Sequence, residues 1–191
     1  MRFCSHEWSH CFRQRWRNYM KKILILNGAG RKNGSTSALV NAFAEGAKAS
    51  GNEIHEFFLH KMDIHGCMNC QGCGRESADF KNPCVQKDDM AQIYEAFLWC
   101  DIIVFASPVY WFSITGQLKT AVDRLYAMHR RYGVPNVIKP TVMLLTAGAP
   151  VFDQPMAWYS HFEKYCNWPN LGTVLGADKI DEARALGESI N

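Results

Sequence analysis

The sequence predicts a doubly wound α/β fold, with a parallel sheet of five strands in the order 2-1-3-4-5 between two layers of helices. Two observations predict it. Short apolar runs alternate along the chain with longer amphipathic segments, which is the pattern of strands joined by crossover helices. One run, Ile102–Ala106, is apolar at every position, as expected for a strand buried on both faces of a parallel sheet. Right-handed crossovers then favour this strand order.

The individual elements follow from hydrophobic periodicity and from residues that end helices. The first predicted helix has one apolar face and ends before Gly51, a residue type that commonly terminates helices. Residues 60–88 interrupt the alternation as a long, cysteine-rich and largely irregular insert. Strands are predicted at 22–26, 53–59, 101–107, 141–146 and 172–175. Helices are predicted at 36–50, about 88–100, about 115–128, 153–167 and 180–190.

Length and composition indicate one domain without a membrane span. The chain has 191 residues, of which 48% are hydrophobic, and no apolar run reaches the roughly 18 residues of a transmembrane helix. The net charge of +3 belongs to residues 1–19, and the rest of the chain is neutral. The basic isoelectric point is therefore no evidence for nucleic-acid binding.

Residues 1–19 differ in composition from the rest of the chain. They are rich in Arg, Trp, His and Cys and have no clear apolar period. Because Met20 directly precedes the first strand, we expect an extension at 1–19 that is not native or is disordered, and a domain at 20–191. The alternatives are an arm that packs on a neighbouring subunit, or a metal site at Cys4, His6, His10 and Cys11. Eight cysteines without a secretory signal favour a reducing compartment and hence a cytoplasmic location.

A turn rich in glycine and hydroxyl residues, Asn27–Ser37, follows the first strand. A strand, such a turn and a helix start form a common phosphate site, because backbone N–H groups and the helix N-terminus favour an anion. The turn has neither the Walker spacing nor the third glycine of the dinucleotide fingerprint. The hydroxyls of Ser35, Thr36 and Ser37 can instead donate to a phosphate. The alternative is an ordinary turn in which Ser35 caps the helix.

Three aromatic residues, Tyr110, Trp111 and Phe112, follow the third predicted strand. In a doubly wound sheet, ligands bind at the carboxyl ends of the strands, near the point where the strand order reverses. This predicts a site formed by the loops 27–37, 107–116 and 146–152. Exposed aromatic side chains there can flank a flat ring system. The alternative is local packing of large side chains.

The segment from Ser107 to Arg124 reads Ser-Pro-Val-Tyr-Trp, a short spacer, Gly-Gln-Leu-Lys and then Asp-Arg. It closely resembles the NADPH-dependent FMN reductase group of the flavodoxin-like superfamily. The first strand and turn, Lys22–Ser37, also resemble that group, as does the cysteine-bearing stretch from Gly66 to Met90. The resemblance covers essentially all of residues 20–191 and no part of 1–19.

The resemblance implies a flavodoxin-like, three-layer α/β/α fold and an FMN-dependent NAD(P)H oxidoreductase. Electrons would pass from NADPH or NADH through FMN to a small-molecule acceptor such as a quinone, flavin or nitro compound. A homodimer or homotetramer is implied as well. No acid–base side chain is strictly required, so no catalytic residue is predicted. The alternatives are a non-enzymatic flavodoxin-like or iron–sulfur flavoprotein electron carrier, and a nucleotide- or sugar-phosphate enzyme, against which the aromatic residues argue.

The implied FMN contacts lie on the three loops. The phosphate would lie on Arg31, Asn33, Ser35, Thr36 and Ser37. The isoalloxazine ring would lie against Pro108, Val109, Tyr110, Trp111 and Phe112, and its third side would be closed by Thr146, Ala147 and Gly148. The match to the group is imperfect before Arg31, which leaves the role of residues 27–30 open.

Four cysteines of the insert have the spacing of metal ligands. Two residues separate Cys67 from Cys70 and Cys70 from Cys73, and ten residues separate Cys73 from Cys84. Such spacing is typical of iron–sulfur ligation, and the related iron–sulfur flavoproteins hold a [4Fe–4S] cluster on a similar motif, although their fourth cysteine usually follows sooner. A cluster on these four cysteines is therefore one expectation. Zinc, or free or redox-active thiols, are the alternatives.

Overall fold

The computed structural model describes residues 19–133 and 137–191. Its five strands form one wholly parallel sheet in the order β2-β1-β3-β4-β5. The strands are β1 (Lys22–Asn27), β2 (Glu53–Phe58), β3 (Ile102–Pro108), β4 (Thr141–Thr146) and β5 (Asn170–Leu175). The helices are α1 (Ser35–Ala49), α2 (Met90–Trp99), α3 (Gly116–Tyr132), α4 (Asp153–Cys166) and α5 (Ile180–Glu188). The predicted fold class is confirmed.

The two faces of the sheet carry separate hydrophobic cores, which explains why its central strands are apolar throughout. In β1, Leu24 and Leu26 belong to one core, while Ile23 and Ile25 belong to the other. Side chains of α2, α3 and α4 complete the first core, and side chains of α1 and α5 complete the second. Because neighbouring residues of a strand point to opposite faces, both sets of side chains must be apolar.

Close packing between α1 and α5 depends on two glycines. A Cβ atom on Gly46 would lie 2.2 Å from the carbonyl oxygen of Arg184, and one on Gly187 would lie 2.1 Å from that of Phe43. Real side chains cannot approach backbone atoms so closely, so only glycine permits this crossing. The contact fixes α1, whose N-terminus forms part of the candidate site.

The insert is largely irregular, as predicted, with two short 3-10 turns at Leu59–Lys61 and Gly72–Gly74. Its residues lie along α3, where the Tyr132 hydroxyl donates to the carbonyl oxygen of Phe80 (3.0 Å). Within the described ranges, no helix has the length and apolarity needed to cross a membrane. The predicted extension 1–19, with its candidate ligands Cys4, His6, His10 and Cys11, lies outside the described residues apart from Tyr19.

Candidate functional site

The loops that follow β1, β3 and β4 meet at the carboxyl edge of the sheet. The N–H of Val109 donates to the carbonyl oxygen of Thr146 (2.7 Å), which ties the second loop to the third. The hydroxyls of Thr36 and Thr146 lie 2.6 Å apart, which ties the start of α1 to the end of β4. The structure therefore brings together the three loops that the sequence predicted.

The loop after β1 is held in place by its own asparagine and by the start of α3. The Asn27 side chain accepts a hydrogen bond from the N–H of Ala29 (3.0 Å) and donates to Glu56 (2.8 Å). The Thr115 hydroxyl donates to the carbonyl oxygen of Gly28 (2.9 Å). A Cβ atom on Gly28 would lie 2.6 Å from this hydroxyl oxygen, so the close approach of α3 requires glycine there.

The N-terminus of α1 presents backbone donors without a protein partner. Its cap residue, Gly34, has no side chain, and the first turn contains no acidic residue. The first hydrogen bond of the helix runs from the N–H of Ala38 to Gly34 (3.0 Å). Among the backbone hydrogen bonds of the described residues, none uses the N–H groups of residues 30–33 or 35–37. Such a group of free N–H donors at a helix N-terminus favours a phosphate.

The side chains of the predicted hydroxyl run have different surroundings. Thr36 and Ser37 are buried. Thr36 is bonded to Thr146, and the Ser37 hydroxyl donates to the carbonyl oxygen of Arg31 (3.1 Å). Ser35 is exposed, as are the side chains of Arg31 and Asn33. The backbone N–H groups of Thr36 and Ser37 remain available as donors.

The aromatic loop after β3 is a tight two-residue turn. Tyr110 and Ser113 exchange both backbone hydrogen bonds (2.9 and 3.1 Å), and Trp111 and Phe112 between them have φ angles of 48° and 63°. Positive φ at both central positions is the pattern of a type I′ turn, which normally contains Asn and Gly. Trp111 is 93% exposed, so burial does not explain the presence of aromatic residues there.

The third side of the site is open. Thr146 is buried, Ala147 is half-buried and Gly148 is exposed. A Cβ atom on Gly148 would meet no atom within 4 Å. On the opposite side, the Tyr110 hydroxyl reaches to within 3.8 Å of the position that a Cβ atom on Gly30 would occupy. The turn after β3 thus extends towards the loop after β1.

Sequence reasoning missed two buried polar residues that hold the site together. Thr115 caps α3, because its hydroxyl accepts from the N–H of Leu118 (3.4 Å), and its own N–H donates to the Ser107 hydroxyl (2.9 Å). The available signals were a threonine at the first position of a predicted helix and a serine directly after an apolar run.

The four cysteines of the insert have different environments. Cys67 and Cys70 are exposed, whereas Cys73 and Cys84 are half-buried and pack against the larger core. The pKa of Cys73 is raised, chiefly by burial and further by the nearby Cys84 and Cys67. A backbone hydrogen bond and the charge of Arg130 act in the opposite direction. In the part of the chain that the structure describes, no three His, Cys, Asp or Glu side chains are grouped to hold a metal ion.

Comparisons with known proteins agree with this architecture. The model of the family described as NADPH-dependent FMN reductase matches residues 21–152. An iron–sulfur flavoprotein of Methanocaldococcus jannaschii is 35% identical over 107 residues, which cover 56% of this chain and 52% of that protein. An FMN-dependent NADH:quinone oxidoreductase of a Bradyrhizobium strain is 29% identical over 177 residues, which cover 85% of this chain and 84% of that protein.

A solved structure extends the likeness to the whole fold. An NAD(P)H:quinone oxidoreductase from Methanothermobacter marburgensis superposes with a TM-score of 0.72 at 18% identity, over 91% of this chain and 97% of the other. Together with the sheet order, this confirms the flavodoxin-like fold. The chain spans about half the length of the iron–sulfur flavoproteins that it matches.

Proposed function

The chain belongs to the NADPH-dependent FMN reductase family, and we propose that it is an FMN-dependent NAD(P)H oxidoreductase with a small-molecule electron acceptor. One observation carries the proposal: unpaired N–H donors at the start of α1 lie at the same sheet edge as an exposed aromatic turn. A ligand that combines a phosphate with a planar ring suits both features. FMN is such a ligand.

The residues present fit FMN at this edge. The phosphate would be held by the backbone N–H groups of residues 30–33 and 35–37, with the side chains of Arg31, Asn33 and Ser35 at the rim. The ring would lie between the turn Pro108–Phe112 and the residues Thr146, Ala147 and Gly148. Bound FMN would supply hydride acceptance from the nicotinamide and electron delivery to the acceptor, while the protein binds, orients and excludes water.

The acceptor is proposed to be a quinone, flavin or nitro compound. The open third side at Gly148 and the exposed ring of Trp111 leave room for a second flat molecule beside a bound flavin. No titratable side chain of the described residues is required to move a proton in this proposal. Binding and orientation are therefore the contributions asked of the protein.

Anaerobic mixing of the FMN-loaded protein with NADPH or NADH tests the activity. We expect the visible flavin absorption band to bleach with at least one donor and to return when a quinone is added. A flavin band that neither donor bleaches would refute the reductase and support the alternative, a non-enzymatic electron carrier. A protein that cannot be loaded with FMN would refute both.

Ser35→Asp tests the phosphate position. A carboxylate in the first turn of α1 would lie beside the phosphate, and like charges about 4 Å apart cost about 1–4 kcal/mol, so we expect FMN affinity to fall by about tenfold or more. The same carboxylate is favoured by the helix dipole, so apo-protein stability should not fall. Riboflavin, which lacks the phosphate, and the neutral variant Ser35→Asn are the controls. Equal losses for FMN and riboflavin would contradict the assigned position.

We further propose a homodimer or homotetramer. A groove of about 620 Å³ lies between α3 and α4, and its lining includes Tyr126, Trp158, Phe162, Tyr165 and Trp168. Aromatic residues gathered at a surface are enriched in interfaces. Sedimentation velocity measures the assembly, and a monomer throughout the micromolar range would contradict it.

We also propose a cytoplasmic location. Six free thiols among the described residues support a reducing compartment such as the cytoplasm.

A further inference from the structure

The two ends of the cysteine insert meet in a hydrogen-bonded neck. The N–H of Asp63 donates to the carboxylate of Asp89 (2.8 Å), and the N–H of Asp89 donates to the carbonyl oxygen of Asp63 (3.0 Å). Further into the insert, the N–H of His65 donates to the carboxylate of Asp88 (3.1 Å). The insert is therefore a closed loop whose ends are fixed to each other.

Arg124 of α3 fastens this neck to the domain. Its guanidinium donates to both carboxylate oxygens of Asp88 (2.7 and 3.1 Å) and to the carbonyl oxygen of His65 (2.7 Å). The side chains of Arg124 and Asp88 are each only 1% exposed. Removing one partner of such a buried pair leaves an uncompensated charge and is strongly destabilising. This pair is a clamp on the insert.

The far part of the insert is fastened at the C-terminal end of α3. The Arg131 guanidinium lies 3.6 Å from the ring centroid of Phe80, which is a close cation–π contact. Tyr132 donates to the carbonyl oxygen of the same residue, and the Arg130 guanidinium packs directly on Gly74. Three successive residues of one helix thus hold the body of the insert.

The cysteines have no comparable arrangement. Cys67 lines the groove between α3 and α4, and its sulfur accepts the N–H of Asn69 (3.4 Å). Cys73 and Cys84 are instead half-buried and pack against the larger core. A [4Fe–4S] cluster needs four thiolates that converge on one centre. No three metal-ligating side chains are so grouped in the described ranges, so the side chains do not fit a cluster.

We infer that the insert is a flap fastened by the Arg124–Asp88 clamp and by the C-terminal end of α3, and that its four cysteines are free thiols rather than cluster ligands. A loop that a metal centre orders loses its order without that centre. This insert has its own fastening. The inference distinguishes the chain from the proteins named iron–sulfur flavoproteins that it matches, and it does not depend on the proposed NAD(P)H activity.

Two variants separate the clamp from the cysteines. The first is Asp88→Asn, which breaks the clamp. The second replaces Cys67, Cys70, Cys73 and Cys84 by Ser together. Both are purified anaerobically beside the wild type, iron and acid-labile sulfide are measured, and hydrogen exchange is followed over residues 66–87. Asp123→Asn is the matched control, because this acid precedes Arg124 on α3 but its side chain is 49% exposed.

We expect Asp88→Asn to speed hydrogen exchange in the insert by about tenfold or more. The four-serine variant and Asp123→Asn should leave that exchange unchanged. The wild type should contain no stoichiometric iron or sulfide. Exchange in the strands reports whether Asp88→Asn still folds, and Arg124→Lys is the milder substitute if it does not. Stoichiometric iron and sulfide in the wild type that the serines abolish would overturn the inference. So would faster insert exchange in the serine variant, or unchanged exchange on loss of the clamp.

Discussion

Trp111→Asn should stabilise the apo-protein although it removes a large aromatic side chain. A non-glycine residue in the left-handed region costs about 1–2 kcal/mol, and Asn tolerates that region better than other residues. Trp111 has a φ of 48° and is 93% exposed, so the apolar burial lost is worth at most about 0.5 kcal/mol. The net gain is about 1 kcal/mol, or about 2–4 °C in Tm for a chain of this size.

Thermal unfolding of apo-protein and titration with FMN measure the two sides of this prediction. We expect Tm to rise while FMN affinity falls by roughly fivefold, because ring contact with an aromatic side chain is worth about 1 kcal/mol. Tyr165→Asn is the control, since Tyr165 is also exposed but lies on α4, where Asn is a poorer helix former. If Tm falls at Trp111 as it does at Tyr165, the strain argument is refuted.

Two further predictions concern the supports of the site. Gly28→Ala should destabilise the fold by about 1–3 kcal/mol, because a Cβ atom there meets Thr115 and Leu118 at 2.6 and 2.9 Å, whereas Gly116→Ala should be tolerated because its Cβ meets nothing within 4 Å; denaturant unfolding compares them. For Asp88, burial raises the carboxyl pKa, but hydrogen bonds from Arg124 and backbone N–H groups outweigh it and leave the pKa lowered. This group therefore contributes its stability above about pH 4 and loses it as pH falls through the lowered pKa. The protection of the insert amides against hydrogen exchange, taken relative to their intrinsic exchange rate at each pH, should therefore fall in acid, and Asp88→Asn should remove that dependence.

The sequence was a reliable guide to the fold because each strand had to satisfy both faces of a parallel sheet. An all-apolar run such as Ile102–Ala106 is typical of a strand that is buried on both faces of a parallel sheet. The end of α3 was less predictable. The helix continues to Tyr132 rather than ending at 128, through residues with no apolar period. Contacts of Arg131 and Tyr132 with Phe80 extend it, and such contacts between distant residues are not visible in a local pattern.

The candidate site was predictable as three loops but not in its atomic detail. The sequence placed the hydroxyl residues Ser35–Ser37 at the start of α1, where the structure has them. The direction in which each of their side chains points depends on the neighbouring strands. Thr36 is turned to Thr146, a partner 110 residues away in sequence. Cysteine spacing has the same weakness as a predictor, because it records separation along the chain and says nothing of whether Cys67 and Cys84 share a neighbourhood.

Two departures from ordinary local structure lie together at the proposed FMN edge. Among the described residues, five non-glycine residues have positive φ. Asn167 is a helix C-cap, a common use of that conformation, and Asn69 and Gln71 lie in the insert. The other two are Trp111 and Phe112, and the free N–H groups at the start of α1 lie at the same edge. Strain and unpaired donors persist where something other than stability maintains them, and a ligand that pairs those donors and covers those rings would relieve both costs at once.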